Sequence, residues 1–385
     1  VATVRYNGGA QDIADVWTAT PGGTIGTETF SLTVNNKAIT YTAESGDAVA
    51  EVVDGLVAAW NASGDSEITE ATAVDSTTLA TITGDTKGVP LVIGSSATGS
   101  ATLAMSNTVA ATGKRHWGND DNWDTGTAPV SGDSAIIDVD NAKIYYDLGQ
   151  SAVTLSNLLL NGSRIELGLA DQSSSSYSQY RDTALQISVD TLTIRNCGGR
   201  CRFDLGSENA VIIVERTASS LERRVPALRF VGTGTVTLEV RSGSVGYGFN
   251  DEVANLESYK MTGGIITLGT SVVVGGNGEI AGGAFVTRSA LVGVTVYRGG
   301  SMWVSEGGVT TLTLERGSAC SYLSSGNITT AVVGGVLSFA SDLSARIITN
   351  TTLNAGGRIL DPAKTVTYTN PIELGTDVLG VQAGG

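Results

Sequence analysis

The stretch ESYKMTGGIITL, residues 257–268, alternates apolar and polar side chains, breaks at a Gly-Gly corner, and alternates again. Close variants follow as VTVYRGGSMWV at 294–304, TAVVGGVLSF at 330–339 and TTLNAGGRIL at 351–360. One glycine of each corner group falls at 243, 264, 283, 300, 317, 335 and 357, a step of 17 to 22 residues. Alternation with period 2 is the mark of a strand. Its recurrence near every 20 residues, with small residues at the bends, is the mark of a β-solenoid. Such a fold is a rigid prism with repeated side faces. It names no reaction.

Working outward from that stretch, alternating strands are expected at 153–160, 164–167, 185–194, 211–215 and 236–240. The solenoid therefore spans 134–370. About eleven or twelve rungs, each adding about 4.8 Å, give a prism roughly 50–60 Å long. Its early rungs carry insertions at 170–182 (ADQSSSSYSQYRD) and 218–226 (ASSLERRVP). Insertions of this kind gather on one face of a solenoid. Its two ends expose strand edges that need covering. Residues 371–385 are expected to be a C-terminal tail or docking arm.

Residues 1–108 read differently, as a small α+β domain that caps or anchors. TETFSLTV at 27–34, Asn35-Asn36 and AITYTA at 38–43 form a hairpin pattern. Asp47 is placed to cap a helix over 48–61, whose apolar residues Val49, Val52, Val53, Leu56, Val57 and Trp60 form one stripe. Further strands are expected at 68–74, 78–83 and 89–93, so the helix would pack on an antiparallel sheet. SSATGS at 95–100 reads as loop. Residues 109–133 are a connector with a Trp- and Asp-rich motif.

Composition narrows the function classes. Gly is 50 of 385 residues and charged residues are 16%, which suits stacked strands with small polar outer positions. The formal net charge of −15 argues against nucleic acid and anionic membranes as partners, because phosphate binding needs clustered Lys and Arg. The three cysteines, Cys197, Cys201 and Cys320, make no disulfide framework. Cys197 and Cys201 are spaced to close a small loop, but buried thiols fit the solenoid better. No run of 18 apolar residues exists, and VATVRYNGG lacks the basic and apolar regions of an export signal.

No catalytic set emerges. His116 is the sole histidine, so any triad or zinc site would have to use it. Asp120, Asp121, Asn122 and Asp124 crowd one loop, but Trp123 interrupts a calcium pattern and no closing Glu follows. Turn and strand capping is the expected use of these groups. Paired acids are sought because two carboxylates can cleave a glycosidic bond. Asp138 with Asp140, and Asp171, Asp182, Asp204 and Glu208 near the insertions, are the candidates, and none stands out. The aromatics Tyr177, Tyr180, Tyr247, Tyr259, Tyr297, Trp303 and Tyr322 are expected to stack in the core or against a subunit, with sugar contact as the alternative. Arg216, Arg223 and Arg224 with Glu222 read as a contact or salt-bridge loop. No cofactor and no metal site is expected.

Two segments resemble known proteins. WGNDDNWDTGTAPVSGDSAII, residues 117–137, resembles the W-NW-G-P-GD opening that precedes right-handed parallel β-helices in bacterial surface and autotransporter-like proteins. Trp117, Asn122, Trp123, Gly126, Pro129, Gly132, Asp133, Ala135 and Ile137 match it. Residues 30–61 are similar to a small α+β module of tailed-phage structural proteins, with Asn36 where the hairpin glycine stands. The combination implies a virion component assembled in a host cytoplasm. The expected fold class is mainly β: an α+β domain followed by a right-handed parallel β-helix. The expected function is a non-enzymatic capsid decoration, fibre-like or tail protein. Expected partners are further copies, favouring a homotrimer, and the major capsid or tail proteins. The alternatives are a tailspike that binds or cleaves host glycan, and a bacterial surface adhesin.

Overall fold

The computed structural model describes residues 2–34, 37–168, 172–173, 178–179, 181–218, 225–249 and 251–375. Strand makes up 51% and helix 5%. Most strands belong to a parallel β-solenoid of about 11 turns. One face stacks Ser134–Ile137, Gly149–Gly162, Leu185–Cys197, Ala210–Val214 and Val236–Val240 in parallel register. It continues through Ser258–Met261, Asn277–Ile280, Leu291–Val296, Val309–Leu314 and Ile328–Val333 to Arg346–Leu353. A second face runs from Cys201–Asp204 through Leu228–Val231, Ser244–Tyr247 and Ile265–Leu268. It ends through Gly283–Thr287, Gly300–Val304, Ala319–Tyr322 and Val336–Ser338 at Arg358–Leu360. A short third face pairs Ala254–Leu256 with Val272–Val274.

Alternation becomes columns. Inward side chains of one rung sit directly on those of the next, as in Leu160, Ile194, Val214, Val240 and Met261. On the second face Leu228, Val245, Ile266, Phe285, Met302, Cys320 and Leu337 form another column, all buried. Each rung thus buries apolar area on both sides of its neighbours, and the core grows along the axis. The bends stack as well. Gly264 has φ +79°, and a Cβ there would lie 2.4 Å from the Gly243 carbonyl oxygen. Gly283 repeats this one rung on, at φ +78° and 2.3 Å from the Gly264 oxygen. Only glycine gives both the positive φ and the close approach.

The N-terminal unit holds two antiparallel sheets where a single sheet was expected. One is ordered Ala71–Asp75, Ala80–Gly84, Val16–Gly23, Ala101–Val109. The other is ordered Lys37–Thr42, Thr29–Val34, Ile93–Ala97. The helix Val49–Ala62 buries Val52, Val53, Leu56 and Trp60, the centre of the expected stripe. The Trp60 indole N–H donates to the Ala71 carbonyl at 2.7 Å. Ala48, not Asp47, occupies the N-cap. The Asp47 carboxylate instead accepts from the Glu44 N–H and the Tyr41 hydroxyl, both at 2.8 Å, so it closes the preceding turn. Glu51 reaches back to the Ala48 N–H at 3.0 Å.

Two boundaries change. Thr3–Arg5 does not belong with the unit expected over 1–108. It pairs in parallel with Ser134–Ile137, and Val4 and Tyr6 lie in the solenoid core. The alternating burial of Thr3, Val4, Arg5 and Tyr6 is the physical reason. The α+β unit is therefore an excursion from the solenoid, whose neck is pinched by a bridge between Ile13 and Thr112. At the other end, Glu373–Leu374 pairs with Thr352–Leu353, so the last rung runs into the expected tail. The expected loop at 95–100 is partly strand, within Ile93–Ala97. The Asn35-Asn36 turn, most of both insertions and residues 376–385 lie outside the described residues.

Candidate functional site

The connector is where the sequence motif becomes geometry. Trp117 and Trp123 are buried in the solenoid core, edge to face at 5.0 Å, and Tyr6 meets Trp123 at 5.5 Å. The Trp123 indole N–H donates to the Trp117 carbonyl at 2.9 Å. Asn122 is fully buried. Its amide donates to the carbonyls of Gly113 at 2.9 Å and His116 at 2.8 Å, and its oxygen accepts from the Ala10 N–H at 3.2 Å. Gly132 takes φ +90°, which delivers Asp133 to the first rung. Asp133 accepts from the Ala2 N–H at 2.9 Å and the Val130 N–H at 3.2 Å, and these bonds hold its carboxyl below the usual range. These residues seal the start of the core.

The candidate chemical groups are tied into the same architecture. His116 is buried, with Nδ1 2.8 Å from Asp147 Oδ2 and Nε2 3.2 Å from the Gly88 carbonyl. Its ring packs against that of Tyr146, with centres 4.9 Å apart and planes tilted by 37°. It links the N-terminal unit to the first corner of the solenoid, and neither ring nitrogen faces open space. Asp120 accepts from the Ala128 N–H and Asp124 from the Arg5 N–H, both at 2.8 Å. No group of three or more His, Cys, Asp or Glu suited to a metal ion occurs among the described residues.

Among the described residues, the candidate acids do not converge as a pair. Asp138 ion-pairs with Arg5, whereas Asp140 accepts from the Ser163 N–H at 2.7 Å, which lowers its carboxyl. Both lie beyond Ser134–Ile137, so the strand geometry that would align them is absent. Asp182 accepts from the Leu148 N–H at 2.9 Å, and Asp204 from the Gly206 N–H at 3.1 Å. Asp171 lies outside the described residues. A shallow cavity of about 150 Å³ has Ser151, Gln186, Ser188 and Asp204 in its wall, with a single carboxylate. Another of about 190 Å³ lies between Tyr6, Lys114, Arg115, Asn141 and Lys143. There Lys114 is held by Asp12 at 3.4 Å and Lys143 by Glu166 at 3.8 Å.

Aromatics divide between core and surface. Tyr247, Tyr259 and Tyr322 are buried, and Tyr297 and Trp303 are exposed at 38% and 37%. Tyr177 and Tyr180 lie outside the described residues, as do Glu222, Arg223 and Arg224. The cysteines are free and buried, with Cys197 and Cys201 sulfurs 3.6 Å apart. Burial pushes the Cys320 thiol up to about 12. No described helix is long and apolar enough to cross a membrane.

Asp15 and Arg346 are buried charges that had no expectation attached. Asp15 accepts from the Trp17 indole N–H at 2.9 Å and the Leu91 N–H at 2.7 Å through one oxygen. Its other oxygen accepts from the Asn107 amide at 2.8 Å and the Ala111 N–H at 3.0 Å. Arg346, with its side chain wholly buried, pairs with Asp342 at 2.8 Å and donates to the Tyr322 carbonyl at 2.9 Å. A lone Asp or Arg among small residues carries no pattern that would reveal such roles.

Against this geometry, comparison with known protein families and with curated proteins finds no match to the chain.

Proposed function

We propose that this chain is a non-enzymatic structural component of a tailed-phage virion, a capsid decoration, fibre-like or tail protein that assembles through its β-helix. A parallel β-helix is compatible with fibre-like, tailspike and adhesin roles alike. The observation that carries the structural reading is the use made of the polar groups. His116, Asn122, Asp133, Asp140 and Asp182 each hold backbone or a neighbouring corner in place. The groups best suited to chemistry are thereby spent on stiffening a rod. The phage-like hairpin and helix at 30–61 support the choice of a virion over a cell surface.

Assembly as a homotrimer belongs to this proposal. Long, repeated side faces favour association around the prism axis. Peptide mass spectrometry of density-purified phage particles tests the virion assignment. The chain should be present in a fixed ratio to the major capsid protein, and its absence from intact particles would remove the assignment. Light scattering tests the trimer separately: three times the 39.4 kDa chain mass is expected, and a monomer at micromolar concentration contradicts it.

A further inference from the structure

Several arginines on this solenoid pair with acids of the same or a neighbouring rung. Arg195 faces Glu215 at 3.7 Å, Arg241 faces Glu239 at 2.8 Å, and Arg288 faces Glu306 at 2.9 Å. In one place an arginine is instead stacked on another arginine. Arg202 and Arg229 hold matching outward positions on adjacent rungs, in direct parallel register. Adjacent rungs bring their backbones to about 4.8 Å. Their chain neighbours Cys201, Phe203, Leu228 and Phe230 are buried, so the two arginines share the outer face. Arg200 supplies a third positive charge that acts on Arg229.

The group is built rather than loose. The Arg229 guanidinium lies over the Phe249 ring, 4.6 Å from its centre. The next position in the column is Gly246. Pro226 and Phe249 close over that glycine: an added Cβ would lie 2.7 Å from Pro226 Cγ and 3.1 Å from Phe249 Cβ. The arginine column thus ends against an apolar shelf. Both Arg202 and Arg229 are half-buried. Among the described residues, no side chain of Arg200, Arg202 or Arg229 forms an ion pair or hydrogen bond. Glu252 is the nearby carboxylate that favours their charge, and it lies beyond ion-pairing distance of both Arg202 and Arg229. Asp204, two residues from Arg202, is turned to the Gly206 N–H. Burial, with repulsion from Arg202, pushes the Arg229 guanidinium down to about 10. Like charges held side by side and partly desolvated raise the energy of the empty face. An anion seated between them would offset it.

We propose that Arg200, Arg202 and Arg229 form an oxyanion-binding site on the flank of the solenoid, which takes the sulfate, phosphate or carboxylate group of an anionic ligand. The planar guanidinium fork matches each of these groups, and two forks one rung apart can clamp a single anion from two sides. This site does not depend on the virion assignment.

Arginine modification by phenylglyoxal, mapped by peptide mass spectrometry on the intact protein, tests it without a variant. Labelling is compared in chloride and, at matched ionic strength, in inorganic sulfate, inorganic phosphate or galacturonate. At saturation at least one anion should slow labelling of Arg202 and Arg229 by about fivefold or more, because only the free site reacts. Arg195 should be unaffected. Which anion protects identifies the ligand group. Equal labelling in all four salts would overturn the site. Arg202→Gln, checked for a retained melting transition, should also abolish protection of Arg229. Full protection in that variant would show that the two do not share an anion.

Discussion

Gly278 sits in an inward column directly above Tyr259 and below Val294. It is the one position in that column where the chain has no side chain, and the Tyr259 ring uses the space. A Cβ on residue 278 would lie 1.9 Å from Tyr259 Cζ. The ring also stacks on Phe285 at 4.6 Å with planes 5° apart. Gly278→Ala should therefore destabilise by roughly 1–3 kcal/mol through overpacking. Tyr259→Leu should also destabilise, by removing the stacked ring. The double variant should lose less stability than the sum of the two single losses, since the smaller side chain frees the space. Urea unfolding of the four proteins reads this directly, and strict additivity would contradict the fit. Asp15 makes the complementary point about legibility. Its four donors come from residues 17, 91, 107 and 111, which nothing local in the sequence draws together.

At the scale of the element, the bend between strands limits what the sequence can hold. Gly264 and Gly126 both have positive φ, at +79° and +68°, but only Gly264 meets a backbone atom. Gly126→Ala carries the left-handed conformational cost alone, about 1–2 kcal/mol. Gly264→Ala adds a clash with the Gly243 carbonyl, and its loss should be about twice as large or more. Equal losses, measured by thermal unfolding, would mean that the corners do not stack. These corners are also why the strands after residue 243 were legible. Alternation set their faces and the glycine step set their register. Other elements were hidden for stated reasons. Val16–Gly23 and Ala101–Val109 are rich in Thr, Ala and Gly, and the first contains Pro21. Pro21 is tolerated because the pairing with Ala80–Gly84 involves only residues 16–19 on that side. Thr3–Arg5 finds its partner across more than a hundred residues, a pairing that no local pattern can announce. The W-NW-GD motif was legible as a boundary. Its role as a core seal needed the burial of Trp117 and Trp123.

For the whole molecule, stability should follow its buried phenols more than its surface charge. The ion pairs along the outer faces, such as Lys260 with Glu279 at 3.7 Å, are exposed and each contributes little. Burial raises the phenols of Tyr247, Tyr259 and Tyr322, and Tyr6 is pushed up to about 12 by burial and by Asp12. The unfolded chain ionises its tyrosines near pH 10, whereas the folded chain keeps these protonated. Their contribution is therefore complete below about pH 10 and is lost as pH rises through the folded values. The melting temperature should show no tyrosine-driven fall up to about pH 10 and should drop steeply above it. No drop by about pH 12 would mean that these rings are hydrated in the folded state.

Stacked, in-register rungs are the proposition on which the rod, its faces and the arginine site all rest. Spin-label distances along one outer column test it most directly. Thr237, Thr311 and Thr330 occupy that column, and Thr311 and Thr330 lie one rung apart. Labels at 237 and 311 should be about 19 Å apart and labels at 237 and 330 about 24 Å, a difference of one rung spacing. Distances that fail to lengthen from the first pair to the second, as two facing antiparallel sheets would give, would contradict the solenoid.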